Sequence, residues 1–396
     1  MNEFSATLAA QLAHNLARPA KDHEDGDDLV RLVIGQDSVC VAERVATMLR
    51  QVGGADHQQL ADRLQQSASR LAGGHDPIAW NEVTGQARES VVSQDSGTLV
   101  GDAAALGARL QGLAPFGDWA AKLPRARTLR WGDHLIEDVT RIEVSETGDM
   151  CRLRLERKHA ESLHQFDRST QTGQGPLWRV VPRLDINGVA IDVLLDEPAL
   201  GGHHADRRLQ HRPDLAVAAF QPALEFAYTF APSYLEWVVG VVSAIVPLAL
   251  PTDRSVSASD ARRPGTVAVC AGLDEANTFE LLVHEASHQR FFILERICSV
   301  KVADDQRLMY SPLPGALRTV DRVVLAYHAC VNIAACYETL ERNGADVSWA
   351  GTDKQRRYRT RIRQMEATLA NNPSLTEMGR AFVGHLRDLS VAMSSN

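Results

Sequence analysis

The residues best suited to chemistry are His284, Glu285 and His288, in the run Leu281-Leu282-Val283-His284-Glu285-Ala286-Ser287-His288. Side chains four apart on a helix share a face, so the two imidazoles can be aimed at one cation. Glu285 then stands beside them as a general base or as a partner of the bound ion. With 14 histidines in 396 residues, chance would produce HExxH only about 0.03 times. Two imidazoles alone hold a metal weakly, and the next residues, Gln289 to Glu295, include none of the usual protease ligands. The candidates for a third ligand lie downstream: His328, Glu338 and, less easily placed, Glu295. His328 sits in an apolar stretch, Val323 to Val331, where a lone histidine is ordinarily a core residue; beside an incomplete metal site it becomes the preferred third ligand.

Positioning this motif requires one long helix over Asp274 to Cys298, with Phe279, Leu282, Val283 and Ala286 as its buried stripe. Residues 1 to about 130 read mainly as helices. Val45, Met48, Leu49, Leu60 and Leu64 recur at helical spacing, Gly53-Gly54 and Gly73-Gly74 punctuate them, and Gly101 to Leu113 is alanine-rich. From Thr140 to Glu197 the period shortens to two, and Asp185-Ile186-Asn187-Gly188 signals a hairpin turn. From Asp214 the chain reads as helical with one strand-like insertion, Thr266 to Cys270. The expected fold is α+β, mainly α-helical with a small antiparallel sheet, the metal site lying on the HExxH helix. The expected division is 1–213, a helical region carrying the sheet at about 140–197, and 214–396, the helical metal-binding region. Loop histidines His203, His204 and His211 are weaker metal candidates, as polar loop histidines are ordinarily just solvated. Lys354 to Arg363 carries six basic residues on what reads as a solvated helix face, or a docking face for an acidic peptide.

Composition narrows the classes. At 44% hydrophobic and 23% charged, the chain can bury a large core. A net charge of −8 argues against a dedicated nucleic-acid binder. The most apolar run, Val238 to Leu250, contains Pro247 and falls well short of the ~20 residues a membrane helix needs. The first residues lack an apolar segment behind a basic one, so they do not read as a signal peptide. The six cysteines form no CxxC pair and are expected to be reduced thiols. The expectation is a cytoplasmic protein with neither a nucleic-acid nor a membrane partner.

Ser233-Tyr234-Leu235-Glu236-Trp237, Pro264-Gly265-Thr266-Val267-Ala268-Val269, the HExxH helix, Tyr310-Ser311-Pro312-Leu313 and the helix carrying His328 together resemble one family. It is the HExxH-motif peptide-modification proteins of ribosomal-peptide (RiPP) gene clusters, the α-ketoglutarate-dependent HExxH hydroxylases. The resemblance covers roughly residues 230–340. It implies Fe(II) held by His284, His288 and His328, with 2-oxoglutarate as co-substrate and O2 as oxidant. The implied substrate is a precursor peptide, with or without a leader, hydroxylated at a β-carbon. Arg318 matches the family's arginine upstream of the later histidine. The chain departs from the pattern in Thr319, where a proline is more usual, and in a few extra residues between Leu313 and His328. A guanidinium is the best fork for the distal carboxylate of 2-oxoglutarate, and Arg318 and Arg322 are the candidates.

Two other readings compete. In a zinc metallopeptidase, Glu285 would be the general base and His328 or Glu338 would complete the zinc site. A non-catalytic peptide-binding protein would keep the motif as a relic and use the basic helix, although an intact HExxH argues against decay.

Overall fold

The fold is that of a computed structural model, which describes residues 6–19, 26–71, 82–93, 96–111, 116–131, 134–157, 160–170, 172–174, 178–194, 213–249, 256–313, 315–347 and 351–394. His203, His204, His211 and Gly73-Gly74 lie outside the described residues. Contacts divide the chain into two compact units, one of residues 31–182 with 262–264, the other of residues 1–30, 183–261 and 265–396.

After α1 (Ala6–Ala17), helix α2 (Gly26–Val52) stops and α3 (Ala55–Leu71) starts at Gly53-Gly54. These glycines stand at φ 81° and 96°, which residues with a Cβ rarely adopt. Helices α4 (Glu82–Ser93) and α5 (Ser96–Gln111) follow, and then a sheet of β1 (Trp119–Trp131), β2 (His134–Thr147), β3 (Met150–Arg157), β4 (Ala160–Asp167) and β5 (Thr172–Gln174). These five pair antiparallel in sequence order, and β6 (Trp178–Val180) pairs with the start of β2. One sheet face is apolar because alternate residues bury: Cys151, Leu153 and Leu155 are inside, while Arg152 and Arg154 are exposed. Leu49, Leu60, Leu64 and Leu106 share its core with Trp119, Trp131 and Phe166. The two indoles stack at 6.5 Å.

The sheet therefore begins about twenty residues before its expected start, a shift that matters because β1 was read as helix. In β1 the buried positions Trp119, Ala121, Leu123, Leu129 and Trp131 alternate only at the two ends. Register shifts between Lys122 and Leu129, with Pro124 among them, interrupt the period.

In the other unit, β7 (Arg183–Ile186) and β8 (Val189–Val193) form the expected hairpin, with Asn187 and Gly188 at φ 51° and 79° as its turn. Helices α6 (Pro213–Phe230) and α7 (Pro232–Val239) lead to β9 (Ala244–Leu248), β10 (Ser257–Ser259) and β11 (Thr266–Cys270). The five strands make a mixed sheet in the order β10-β11-β9-β8-β7, parallel at β8/β9 and β9/β11 and antiparallel at both edges. Strands β9 and β11 are buried throughout, the continuous apolar pattern of a covered parallel pair. The chain continues through α8 (Glu275–Ile297), the hairpin β12 (Met309–Ser311) and β13 (Ala316–Arg318), then α9 (Val320–Arg342), α10 (Gly351–Leu369) and α11 (Glu377–Ser394).

The chain is α+β and mainly helical, as the sequence implies, but the strands do not all belong to one small antiparallel sheet. Because β8 pairs with β9 and β7 with β8, contacts separate the chain at 182/183 and not at 213/214. Among the described residues, α9 alone is long and apolar enough to cross a bilayer. It is a core helix, with 83% of its most apolar window buried. All six cysteines are free thiols.

Candidate metal centre

Helix α8 is fixed at its start by Asp274, whose carboxylate accepts the Asn277 N–H at 2.9 Å, and Glu275 and Arg296 suit the dipole at its two ends. The expected stripe of Phe279, Leu282, Val283 and Ala286 is fully buried. Six polar residues of α8 are buried with it: Thr278, Glu280, Glu285, Ser287, Gln289 and Arg290. Buried polar groups need partners, and four of the six have them.

Glu280 accepts from Tyr337 Oη, from Tyr358 Oη at 2.7 Å and from Lys354 Nζ. Ser287 Oγ donates to the Val283 carbonyl at 2.8 Å. Gln289 accepts the Gly265 N–H at 3.0 Å and donates to the Thr266 carbonyl at 3.3 Å, tying α8 to β11. Arg290 donates to the Trp237 carbonyl at 2.7 Å and lies over the Trp237 ring at 4.7 Å, tying α8 to α7.

The Thr278 hydroxyl has no partner, and Glu285 is the charged exception. It is fully buried, and neither carboxylate oxygen makes a hydrogen bond of ordinary geometry. The nearest groups are His288 Nδ1 at 3.3 Å and His284 Nε2 at 3.9 Å. Burial pushes its pKa up, but His288, His284 and the Ser257 hydroxyl outweigh that and bring it down to about 2. His284 is lowered to about 4, by burial first and then by His288. At neutral pH the carboxylate is therefore charged and the His284 imidazole neutral, the forms that bind metal.

The ligand atoms of His284, Glu285 and His288 all lie within 4.8 Å of one another. Three donors bound at 2.0–2.2 Å to one ion stand at most about 3.8 Å apart, so side-chain rotations of about 1 Å would be needed to bring all three onto one ion. The imidazoles remain 30% and 19% exposed, which leaves the cluster open on one side, whereas Glu285 is sealed beneath them. Ser259 Oγ lies 3.3 Å from His288 Nδ1, and Phe292 flanks the same ring at 6.4 Å.

His328, expected as the third ligand, lies outside this group. Its Nε2 is 3.2 Å from the Ala17 carbonyl, which also accepts from Asn332 Nδ2 at 2.9 Å. Trp237 and Phe382 pack on its ring at 5.9 and 5.0 Å. Burial, with help from His288 and Arg290, lowers its pKa to about 3. It is a fully buried histidine whose Nδ1 makes no hydrogen bond of ordinary geometry. The other candidates are spent elsewhere: Glu338 accepts from Arg359 at 2.8 Å and Glu295 from the Val300 N–H at 2.8 Å. Arg318 is half-buried on β13, and Arg322 is exposed with Nε 3.8 Å from Asp321. Among the described residues neither arginine contacts the cluster.

The basic stretch of α10 is only partly a solvated face, because Lys354 and Tyr358 turn inward to Glu280. Sequence reasoning missed Ser257, Ser259 and the Glu280 partners. A three-residue strand of small residues gives almost no periodic signal, and the partners of Glu280 lie 57 and 78 residues away. Compared with known proteins, the chain matches no protein-family model and no curated protein.

Proposed function

We propose that the chain is a metal-dependent enzyme and, within that class, an Fe(II)- and 2-oxoglutarate-dependent oxygenase. Its substrate would be a ribosomally made precursor peptide, or a similar peptide, hydroxylated at a β-carbon. The observation that carries this reading is the donor set: two imidazoles and one buried, ionised carboxylate without a hydrogen bond of ordinary geometry. Two histidines and a carboxylate on one face are the ligands used by non-haem iron oxygenases. His284, Glu285 and His288 would hold the ion, which when bound with 2-oxoglutarate supplies the activation of O2. Glu285 thus takes the place that the resemblance gives to His328. The open side above the imidazoles admits the co-substrate, and Phe292 limits water there. Arg318 and Arg322 are proposed by residue type to anchor the distal carboxylate of 2-oxoglutarate.

The test is an anaerobic titration of Fe(II)-loaded protein with 2-oxoglutarate, monitored for a visible metal-to-ligand charge-transfer band. A saturable band in the wild type that vanishes in His284→Ala is expected. Iron-loaded protein that gives no band would sink the oxygenase reading. One observation favours the zinc metallopeptidase alternative: the unbonded Glu285 carboxylate is poised where a hydrolase would need its base. Peptide cleavage by Zn(II)-loaded protein, lost in Glu285→Gln, would establish it.

A further inference from the structure

Strand β10 is one edge of the five-stranded sheet, and among the described residues no strand pairs with its outer side. The alternation of an antiparallel ladder determines which of its groups face outward. The Cys270 N–H donates to the Val256 carbonyl, so 256/270 and, two residues on, 258/268 are bonded pairs. Ser257 and Ser259, opposite Val269 and Val267, then turn their N–H and C=O groups away from β11. The far side of β11 agrees, since the Ala271 N–H donates to Leu248 toward β9. Four backbone hydrogen-bonding groups thus face the open edge.

The side chains of the same two serines face α8. Ser259 Oγ is 3.3 Å from His288 Nδ1, and Ser257, two residues back on the same strand, turns its side chain to the same face. The open edge therefore runs beside the cluster. Exposed edges are ordinarily blunted by lysine, proline or a bulge, yet Ser257-Ala258-Ser259 has none of these. At the opposite edge of the sheet, Gln221 of α6 donates to the Asp185 carbonyl of β7.

We propose that β10 is the docking strand for the substrate, an extended peptide that adds to the sheet by pairing with Ser257 and Ser259. An added strand lies about 4.8 Å from its neighbour and turns every second side chain to one face. A peptide here presents alternate side chains on the face that Ser257 and Ser259 turn toward His284, Glu285 and His288. Recognition then rests on peptide backbone, and the pairing register selects the residue that reacts. This rests on the reading of the cluster as a catalytic metal site acting on peptides.

The experiment selects short random peptides from a displayed library on Zn(II)-loaded full-length protein, then measures binding of the synthesised winners and of versions N-methylated one position at a time. Losses at every second position are expected. Ser259→Pro, which removes an outward N–H, should weaken binding about tenfold, the effect of one hydrogen bond. Ser259→Ala also lacks the hydroxyl but keeps the N–H, so it separates the two causes. In the wild type, amide exchange at Ser257 and Ser259 should slow when peptide is added, a readout that does not depend on either variant folding. Failure to select any peptide, an aperiodic N-methyl scan or unchanged exchange would overturn the proposal. Peptide docking on β10 without a charge-transfer band would reject the oxygenase reading and leave the docking strand standing.

Discussion

The buried acids of the two units differ in kind. In the 31–182 unit, Asp102 accepts from Ser90 and Arg127, and Glu146 accepts from the Phe116 and Gly117 amides, Gln111 and Arg168. The backbone and Arg168 contacts hold the Glu146 pKa down against burial. In the other unit, Glu280 is equally saturated, yet Glu285, little more than one turn along the same helix, makes no hydrogen bond of ordinary geometry. Saturated acids join elements together and belong to the architecture. An ionised acid held only by two imidazoles and a serine hydroxyl retains lone pairs for a cation. The contrast separates structural polarity from poised polarity within one chain.

The strongest way to break that contrast is to remove an imidazole. His288→Ala should abolish stoichiometric metal binding, measured by titration calorimetry and metal analysis; full occupancy in the variant would show that the ion is held elsewhere. Next, Glu146→Ala should cost about 3–5 kcal/mol in urea unfolding, because it strands the buried Arg168 guanidinium. A loss below about 1 kcal/mol would mean that Glu146 is no more structural than Glu285.

A pH series probes the neutral imidazoles. His328 has a folded pKa of about 3 against 6.5 for an imidazole in water, so below pH 6.5 unfolded chains bind a proton that folded chains refuse. Its contribution is therefore complete above pH 6.5 and lost as pH falls toward 3, by about 1.4 kcal/mol per pH unit. Metal-free wild type should lose stability between pH 6.5 and 5 more steeply than His328→Gln; equal slopes would contradict the buried neutral histidine. The smallest effect sharpens the comparison most. Glu285→Gln should cost no more than about 1 kcal/mol of metal-free stability, because the amide keeps the side chain's shape and hydrogen-bonding capacity, while weakening metal binding. A destabilisation as large as that of Glu146→Ala would place Glu285 among the structural acids.

What could be read beforehand was local. Asp274 and Cys298 bracket α8 as its apolar stripe requires, and Asn187-Gly188 and Gly53-Gly54 mark their turns through backbone that glycine favours. What could not be read depended on distant partners. Pairing of β8 with β9 moved the division of the chain, and Lys122, Pro124 and Arg127 disguised β1 as something other than a strand. His328 looks the same in sequence whether its Nε2 meets a metal or a carbonyl, and the carbonyl it meets is 311 residues away. The donor pair His284 and His288 was legible because four-residue spacing is a property of the helix itself.

That long reach bears on how the protein assembles. Closing Ala17 onto His328 and Asn332 spans 311 and 315 residues, so α1 cannot dock until the chain has been made as far as residue 332. The 31–182 unit draws its contacts almost entirely from one continuous stretch and can fold while synthesis proceeds. The unit that carries the histidine cluster is thus the last to close, and α1 waits for its place while an entire neighbouring unit forms.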